Sequence, residues 1–254
     1  MKISIITATY NSGATLRDTI KSVLSQTYPD YEMLIIDGGS TDNTKEIVDE
    51  YIPQSHGRIK WFSGKDKGLY DAMNKGIGQA AGDVIGILNS DDFYAEETVL
   101  DSIANGIREV DAVYGDLVFV NHDNTDQTVR QWIGSQHKPG SFMKGWHPAH
   151  PTFYARKELF DRLGGFDISF DVSADFELMF RFLEKGQAKS RYIPHTFVKM
   201  RLGGESTGSI KKIIQGNKNV LRAFRKNGYK VPHFYLVRRL APKAINMIKN
   251  KLHL

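Results

Sequence analysis

The chain has no cysteine. A disulfide framework and a thiolate metal site are both excluded, so any metal must be held by oxygen or histidine. No apolar run approaches the roughly 18 residues that a membrane-spanning helix needs. The N-terminus enters Ile3-Ser4-Ile5-Ile6 at once, too early for a secretory leader, and a cytoplasmic location is expected. Two nucleotide signatures are also missing, the Gly-x-Gly-x-x-Gly fingerprint and the Gly-x-x-x-x-Gly-Lys-Ser/Thr loop, which argues against a nicotinamide dehydrogenase and a phosphate-loop nucleoside triphosphatase. Finally, acid is missing from 210–254, which carry twelve Lys and Arg, whereas residues 1–209 carry 22 basic against 29 acidic side chains. An acidic body with a basic tail points to an anionic partner for the tail.

What is present is the composition of an ordinary globular domain, 254 residues with 41% hydrophobic and 25% charged side chains, enough for one sizeable core. Ile3 to Ala8 reads as a core strand, broken at Thr9-Tyr10-Asn11-Ser12-Gly13 before Leu16, Ile20, Val23 and Leu24 recur at helical spacing. The pattern repeats with Met33-Leu34-Ile35-Ile36 and a helix at Ile47, Val48 and Tyr51. It repeats again with a strand at 58–62 and a helix over 69–80, and once more with Val84-Ile85-Gly86-Ile87-Leu88 and a helix over 96–107. Four strand-helix units predict an α/β domain with a mostly parallel sheet flanked by helices, because parallel neighbours need crossover connections.

In such sheets ligands bind beyond the carboxyl ends of the strands. Polar residues collect there: Thr7, Thr9 and Tyr10 after the first strand, Asp37 after the second, Asp66 and Lys67 after the third, Asp91 and Asp92 after the fourth. Adjacent carboxylates repel unless a cation sits beside them, and hard oxygen ligands suit Mn2+ or Mg2+ with a phosphate-bearing substrate.

Thr7-Ala8-Thr9-Tyr10-Asn11, Ile35-Ile36-Asp37-Gly38-Gly39-Ser40-Thr41-Asp42 and Leu88-Asn89-Ser90-Asp91-Asp92, in that order and spacing, resemble the nucleotide-sugar half of the family 2 glycosyltransferases. Those are inverting enzymes with the GT-A fold, and the likeness spans roughly residues 1–209. It implies that Thr7 and Tyr10 flank the nucleobase, that Asp37 accepts a base N–H, and that Asp91 and Asp92 serve ribose and metal, with Asp92 the main metal ligand. UDP is the favoured nucleotide because Asp37 suits an imide N–H. Two positions depart from the family pattern. Asn89 stands where many relatives carry aspartate, and Asp71-Ala72-Met73-Asn74 stands where relatives often have Ala-Arg-Asn, which leaves Lys67 the better candidate for diphosphate contact. Asp71 is then either functional or an ordinary carboxylate at a helix start.

The division expected is a nucleotide-sugar half over 1–110, an acceptor and catalytic-base half over 111–209, and a basic amphipathic tail over 210–254. In the second half, 112–120 and 128–133 read as strands of a more mixed region. Trp132, Trp146 and His150 belong to a ring-rich stretch that either lines an acceptor groove or packs in the core. The segment Leu163-Gly164-Gly165-Phe166-Asp167 followed by Ala174-Asp175-Phe176-Glu177 resembles the family segment that carries the catalytic base, and Asp175 is the matching position. Arg201 and the glycines after it offer a phosphate-closing loop. The tail either lies on an anionic bilayer, with a peripheral location on the inner face of the cytoplasmic membrane, or docks on the acidic body.

The function expected is transfer of a sugar from a nucleoside diphosphate to a glycan or lipid-linked acceptor, with a divalent metal and no nucleic-acid partner. A nucleotide-sugar-binding module without turnover and a sugar-1-phosphate nucleotidyltransferase are the alternatives; the latter needs a glycine-rich triphosphate loop that Thr9-Tyr10-Asn11-Ser12-Gly13 does not supply.

Overall fold

A computed structural model describes residues 1–203, 210–237 and 239. The glycine-rich segment 204–208 and the part of the basic tail beyond 239 lie outside the described residues. The first four units form as the periodicity predicts: β1 (Ile3–Thr9), α1 (Leu16–Leu24), β2 (Tyr31–Asp37), α2 (Thr44–Tyr51), β3 (Ile59–Ser63), α3 (Leu69–Gln79) and β4 (Val84–Ile87). These strands pair in parallel in the order β3-β2-β1-β4.

β1, β2 and β4 are buried on both faces, with period-two alternation dividing their side chains, while β3 is a largely exposed edge. Ile3, Ile5, Met33, Ile35 and Val84 pack with α1, α2 and α4 (Val99–Gly106). Ile6, Ala8, Leu34, Ile36, Ile85 and Ile87 pack on the opposite face with α3. The second face is completed by α6 (Ala174–Phe180), which runs on into a π turn over Arg181–Lys185, and by α7 (Ile210–Lys226).

The second half extends the same sheet. β5 (Phe93–Tyr94), β6 (Ala112–Val120), β7 (Thr128–Trp132), β8 (Tyr154–Arg156) and β9 (Ser190–Arg201) continue the order as β4-β8-β6-β9-β5, with β7 on β6. β8 is antiparallel to both β4 and β6, which leaves β6 and β9 running in the direction of the first four strands. Two strands were not foreseen, β5 of two residues and β8 of three, because pieces so short show no alternation. The helix expected from Glu96 starts only at Val99, and α5 (Lys157–Leu163) was missed within the ring-rich half.

The sheet curls. Only residues 88–92 separate β4 from β5, although β5 stands four places further along the strand order. Four steps across a flat sheet would be about 19 Å. A five-residue segment folded into a turn, with the Asp92 N–H donating to the Asn89 carbonyl at 3.1 Å, does not reach that far.

α7 docks on the body. Val220, Ala223 and Phe224 are buried, with Phe224 against Phe180 and Tyr235 at ring-centroid distances of 4.8 Å. Ile213 and Ile214, near the start of the helix, are 47% and 52% exposed.

A candidate active site at the strand ends

The loops leaving β1, β2, β3 and β4 converge on one crevice, and their own hydrogen bonds set its shape. After β1 the chain turns through Asn11 at positive φ, and Tyr10 projects outward, 64% exposed. Beneath it Thr7 and Thr9 are buried, and neither Oγ1 has a partner. After β2 the Gly38 N–H donates to the Thr9 carbonyl at 2.9 Å, tying the first two loops together.

Asp37, expected to accept a nucleobase N–H, is surrounded by donors of the protein itself. It is 2% exposed, and its carboxylate accepts from the Gly39 N–H, the Ser40 N–H and Oγ, and the Ser63 Oγ at 2.5–3.2 Å. These bonds occupy its acceptor sites and brace the β2 loop against the end of β3. Beside it, Asp66 has an open acceptor. One of its oxygens pairs with Lys75, while Oδ2 is buried and unpartnered. A side chain at Gly38 would stand 3.2 Å from that oxygen and 3.5 Å from the Tyr10 ring, so Gly38, Tyr10 and Asp66 enclose one small space.

The turn after β4 is pinned from below by α1 and the loop ahead of it. Thr15 and Thr19 hydroxyls donate to the Ser90 carbonyl, Thr19 also to that of Asp92 at 2.7 Å, and the Ser12 and Ser90 hydroxyls are 2.8 Å apart. Asp91 is half-buried, and burial raises its carboxyl above the ordinary range. Asp92, expected to be the main metal ligand, is 0% exposed. Its Oδ2 accepts from the Asn89 amide at 3.0 Å and its Oδ1 has no partner. Burial first, and then the charge of Asp91, hold the Asp92 carboxyl well above the ordinary range. The carboxylate with a face toward solvent is therefore Asp91. Among the described residues, no group of three or more His, Cys, Asp or Glu is arranged to hold a metal.

Arg201 is not a mobile phosphate clamp. It is 5% exposed, donates to the Asp91 carbonyl at 2.7 Å, pairs with Asp18 and lies over the Phe93 ring. It fastens the end of β9 to the acidic turn. Lys67 is exposed at the mouth of the crevice. Asp71 takes the ordinary role of a helix-start carboxylate, accepting the Lys67 N–H at 3.0 Å and pairing with Lys75.

The second half meets the first at α6. Asp175 lies in the first turn of that helix, as expected, and its Oδ1 is 3.5 Å from the Tyr70 hydroxyl of α3. Burial and the Asp175 charge keep the Tyr70 phenol well above its usual pKa, so it remains a donor. Tyr70 stacks on Phe166, and His150 packs edge-on against the same ring. The His150 Nε2 is buried and unpartnered, and burial favours its neutral form. The Gly-Gly-Phe segment is held by α3: Asn74 accepts the Phe166 N–H and donates to the Phe166 carbonyl, and any side chain at Gly165 would run into Asn74. Of the two tryptophans expected near an acceptor groove, Trp146 packs among Tyr114, His137 and Phe142, and Trp132 meets His147 edge-on at 5.1 Å. The roles of Tyr70 and Asn74 were missed; an aromatic at a helix start carries no signal until the partner helix is in place.

A family model described as glycosyl transferase family 2 matches residues 4–185. The chain is 31% identical over 193 residues to a PGL/p-HBAD biosynthesis glycosyltransferase of Mycobacterium bovis, covering 75% of this chain and 73% of the relative. It is 35% identical over 127 residues to the glycosyltransferase GlyG of Streptococcus pneumoniae, covering 50% of this chain and 40% of the relative. Among solved structures, the fold is similar to S. aureus TarS in complex with UDP-GlcNAc, with a TM-score of 0.73 at 18% identity over 95% of this chain and 73% of TarS 1-349. It is also similar to the mannosyltransferase PcManGT of Pyrobaculum calidifontis in complex with GDP-Man and Mn2+, with a TM-score of 0.65 at 19% identity over 93% of this chain and 67% of the other. The GT-A architecture, the strand-end crevice and the match over most of the chain agree, and the protein belongs to glycosyl transferase family 2.

Proposed function

We propose that the chain transfers a sugar, with inversion, from a nucleoside diphosphate to a hydroxyl of a glycan or lipid-linked acceptor in bacterial surface-glycan synthesis. The observation that carries this reading is the meeting of Asp175 with Tyr70. It sets a half-buried carboxylate of the second half against the helix that follows the Asp66-Lys67 loop of the nucleotide crevice. Asp175 takes the proton from the acceptor hydroxyl, which attacks the anomeric carbon opposite the leaving diphosphate, so a single displacement inverts the centre. Tyr70 holds the carboxylate in place through its hydroxyl.

The donor reading rests on the space between Tyr10, Gly38 and Asp66. An exposed ring offers a stacking face, and the open Asp66 Oδ2 is a buried acceptor for an imide N–H, which favours UDP. The structural neighbours hold UDP-GlcNAc and GDP-Man, which supports a nucleotide-sugar donor here. A divalent cation, Mn2+ or Mg2+, fits the acidic turn, since such ions are held by one or two carboxylates with phosphate oxygens and water completing the shell. Asp91 would hold it, and the open Asp92 Oδ1 stands behind that position. When bound, the ion supplies Lewis-acid stabilisation of the charge on the departing diphosphate. Lys67 adds a positive charge at the mouth. No helix among the described residues is long and apolar enough to cross a membrane, and work at the inner membrane surface is the proposed setting.

The test is thermal unfolding with UDP and GDP, with and without Mn2+, followed by transfer assays of the native protein and of Asp175→Asn. The expected result is a metal-dependent rise in Tm with UDP that Asp175→Asn retains while losing transfer. Binding without turnover in the native protein would instead make the chain a nucleotide-sugar-binding module.

A further inference from the structure

The family match ends at residue 185, yet a side chain far beyond it reaches the start of α6. Tyr235 anchors the segment that follows α7: it is buried, with its ring 4.8 Å from that of Phe224. Four residues on, and so on the same side of a helical turn, stands Arg239. Its guanidinium lies 5.3 Å from the centre of the Phe176 ring. Phe176 is the residue after Asp175, and Arg239 is close enough to Asp175 for their charges to attract.

Its hydrogen bonding sets Arg239 apart from the arginines that hold the framework. Arg181 donates to the carbonyls of Leu163, Gly164 and Gly165 and to Glu177, and Arg156 donates to those of Ile107, Arg108 and Val110. Arg239 Nε and Nη1 are buried and have no partner, and the same is true of the Tyr235 hydroxyl. Unpaired buried N–H groups cost free energy, which packing on one ring offsets only in part. Burial accordingly lowers the Arg239 pKa, against the pull of the Tyr235 phenol and of the Asp175 charge. What this side chain brings to its place is charge rather than hydrogen bonds.

Asp175 gains from such a neighbour. A base must be ionised before it can take a proton, and a half-buried position among rings disfavours the charged form of a carboxylate. Tyr70, from α3, and His150, from the short turn His150–Thr152, face it in neutral form. Glu177, the other acid in the first turn of α6, is occupied by Arg181 and Asn227. Arg239 faces it as a cation. Because Nε and Nη1 donate to nothing, the charge acts through space and does not occupy the lone pairs that must receive the acceptor's proton.

We infer that Arg239 is a positioning residue for the base: from the C-terminal segment it supplies the positive charge that holds Asp175 ionised, so that the segment anchored by Tyr235 completes the active site. This rests on the reading of Asp175 as base and gives the basic tail a part in the reaction.

The test is carbon-13 NMR of the full chain labelled at the aspartate carboxyl carbon, with no substrate present. The Asp175 signal is assigned by its loss in Asp175→Asn. Its titration midpoint is expected to rise by about half a pH unit or more in Arg239→Gln and to return most of the way in Arg239→Lys, which keeps the charge. Since the lost N–H groups have no partners, both variants should keep the native Tm. An unchanged midpoint in Arg239→Gln overturns the proposal, and a fall in Tm with the midpoint in place makes Arg239 a structural residue only. An equal shift in Arg239→Lys overturns it too, because charge would then not be the cause. The transferase reading is judged separately. Full transfer by Asp175→Asn would remove it, while the titration would still show whether Arg239 sets the charge of this carboxylate.

Discussion

Glu32 on β2 shows how a single buried carboxylate links stability to pH. It is 1% exposed and accepts from the Ser4 hydroxyl, Lys60 and the Ala81 N–H at 2.7–2.8 Å. Burial pushes its pKa up, but these hydrogen bonds outweigh burial and bring it from 4.5 to about 2. A depressed folded-state pKa gives stability that is fully present above about 4.5 and lost as pH falls through about 2. Glu32→Gln should therefore cost about 2 kcal/mol at neutral pH, and the gap to the native protein should narrow in acid, measured by urea unfolding across pH. Asp66→Asn should remove most of the UDP-dependent rise in Tm, whereas Asp37→Asn should lower Tm in the absence of any nucleotide. Tyr70→Phe should lower kcat several-fold while leaving the nucleotide shift intact, since its hydroxyl touches Asp175 and not the donor loops. The sequence shows acids at three strand ends but not which is consumed by its own loop. That depends on the Ser40 and Ser63 hydroxyls closing on Asp37, which is a matter of loop geometry. Asp91 and Asp92 are equivalent in sequence for the same reason; the direction of one turn exposes the first and seals the second.

Within α3, two glycines only two positions apart have opposite roles. Gly76 faces β1, and a methyl there would run into Ile6. Gly78 is exposed with nothing within 4 Å. Alanine in a helix gains about 1 kcal/mol over glycine, and core overpacking costs about 1–3 kcal/mol. Gly78→Ala should thus raise stability by up to about 1 kcal/mol, while Gly76→Ala should lower it despite the better propensity, as read from paired denaturation midpoints. Helices and long strands were legible because their apolar period persists for two turns or more. β8 was hidden because its three residues, Tyr154-Ala155-Arg156, are too few to show an alternation. There Gly86 leaves room for the Tyr154 ring. Burial along α7 follows contact with the body: Val220, Ala223 and Phe224 are buried, whereas Ile213 and Ile214 are exposed. In α7 the more hydrophobic pair is the outward one.

For the molecule as a whole, the first four units obey one rule, each strand parallel to its neighbours in the order β3-β2-β1-β4, and that rule ends at the acidic turn. The parallel half was legible because crossover connections leave little choice of topology. The curl was not, since it follows from β9 carrying β5 back toward the end of β4. The five residues between β4 and β5 therefore work as a clasp, whatever they bind. A chain cut and rejoined elsewhere tests this mechanical role. Circular permutants opened between Leu88 and Phe93 should fail to fold, while those opened in the exposed turn between β6 and β7 should fold and keep nucleotide binding. A fold closed at its own acidic turn ties the length of that turn to the architecture: the span that carries the acids cannot lengthen freely.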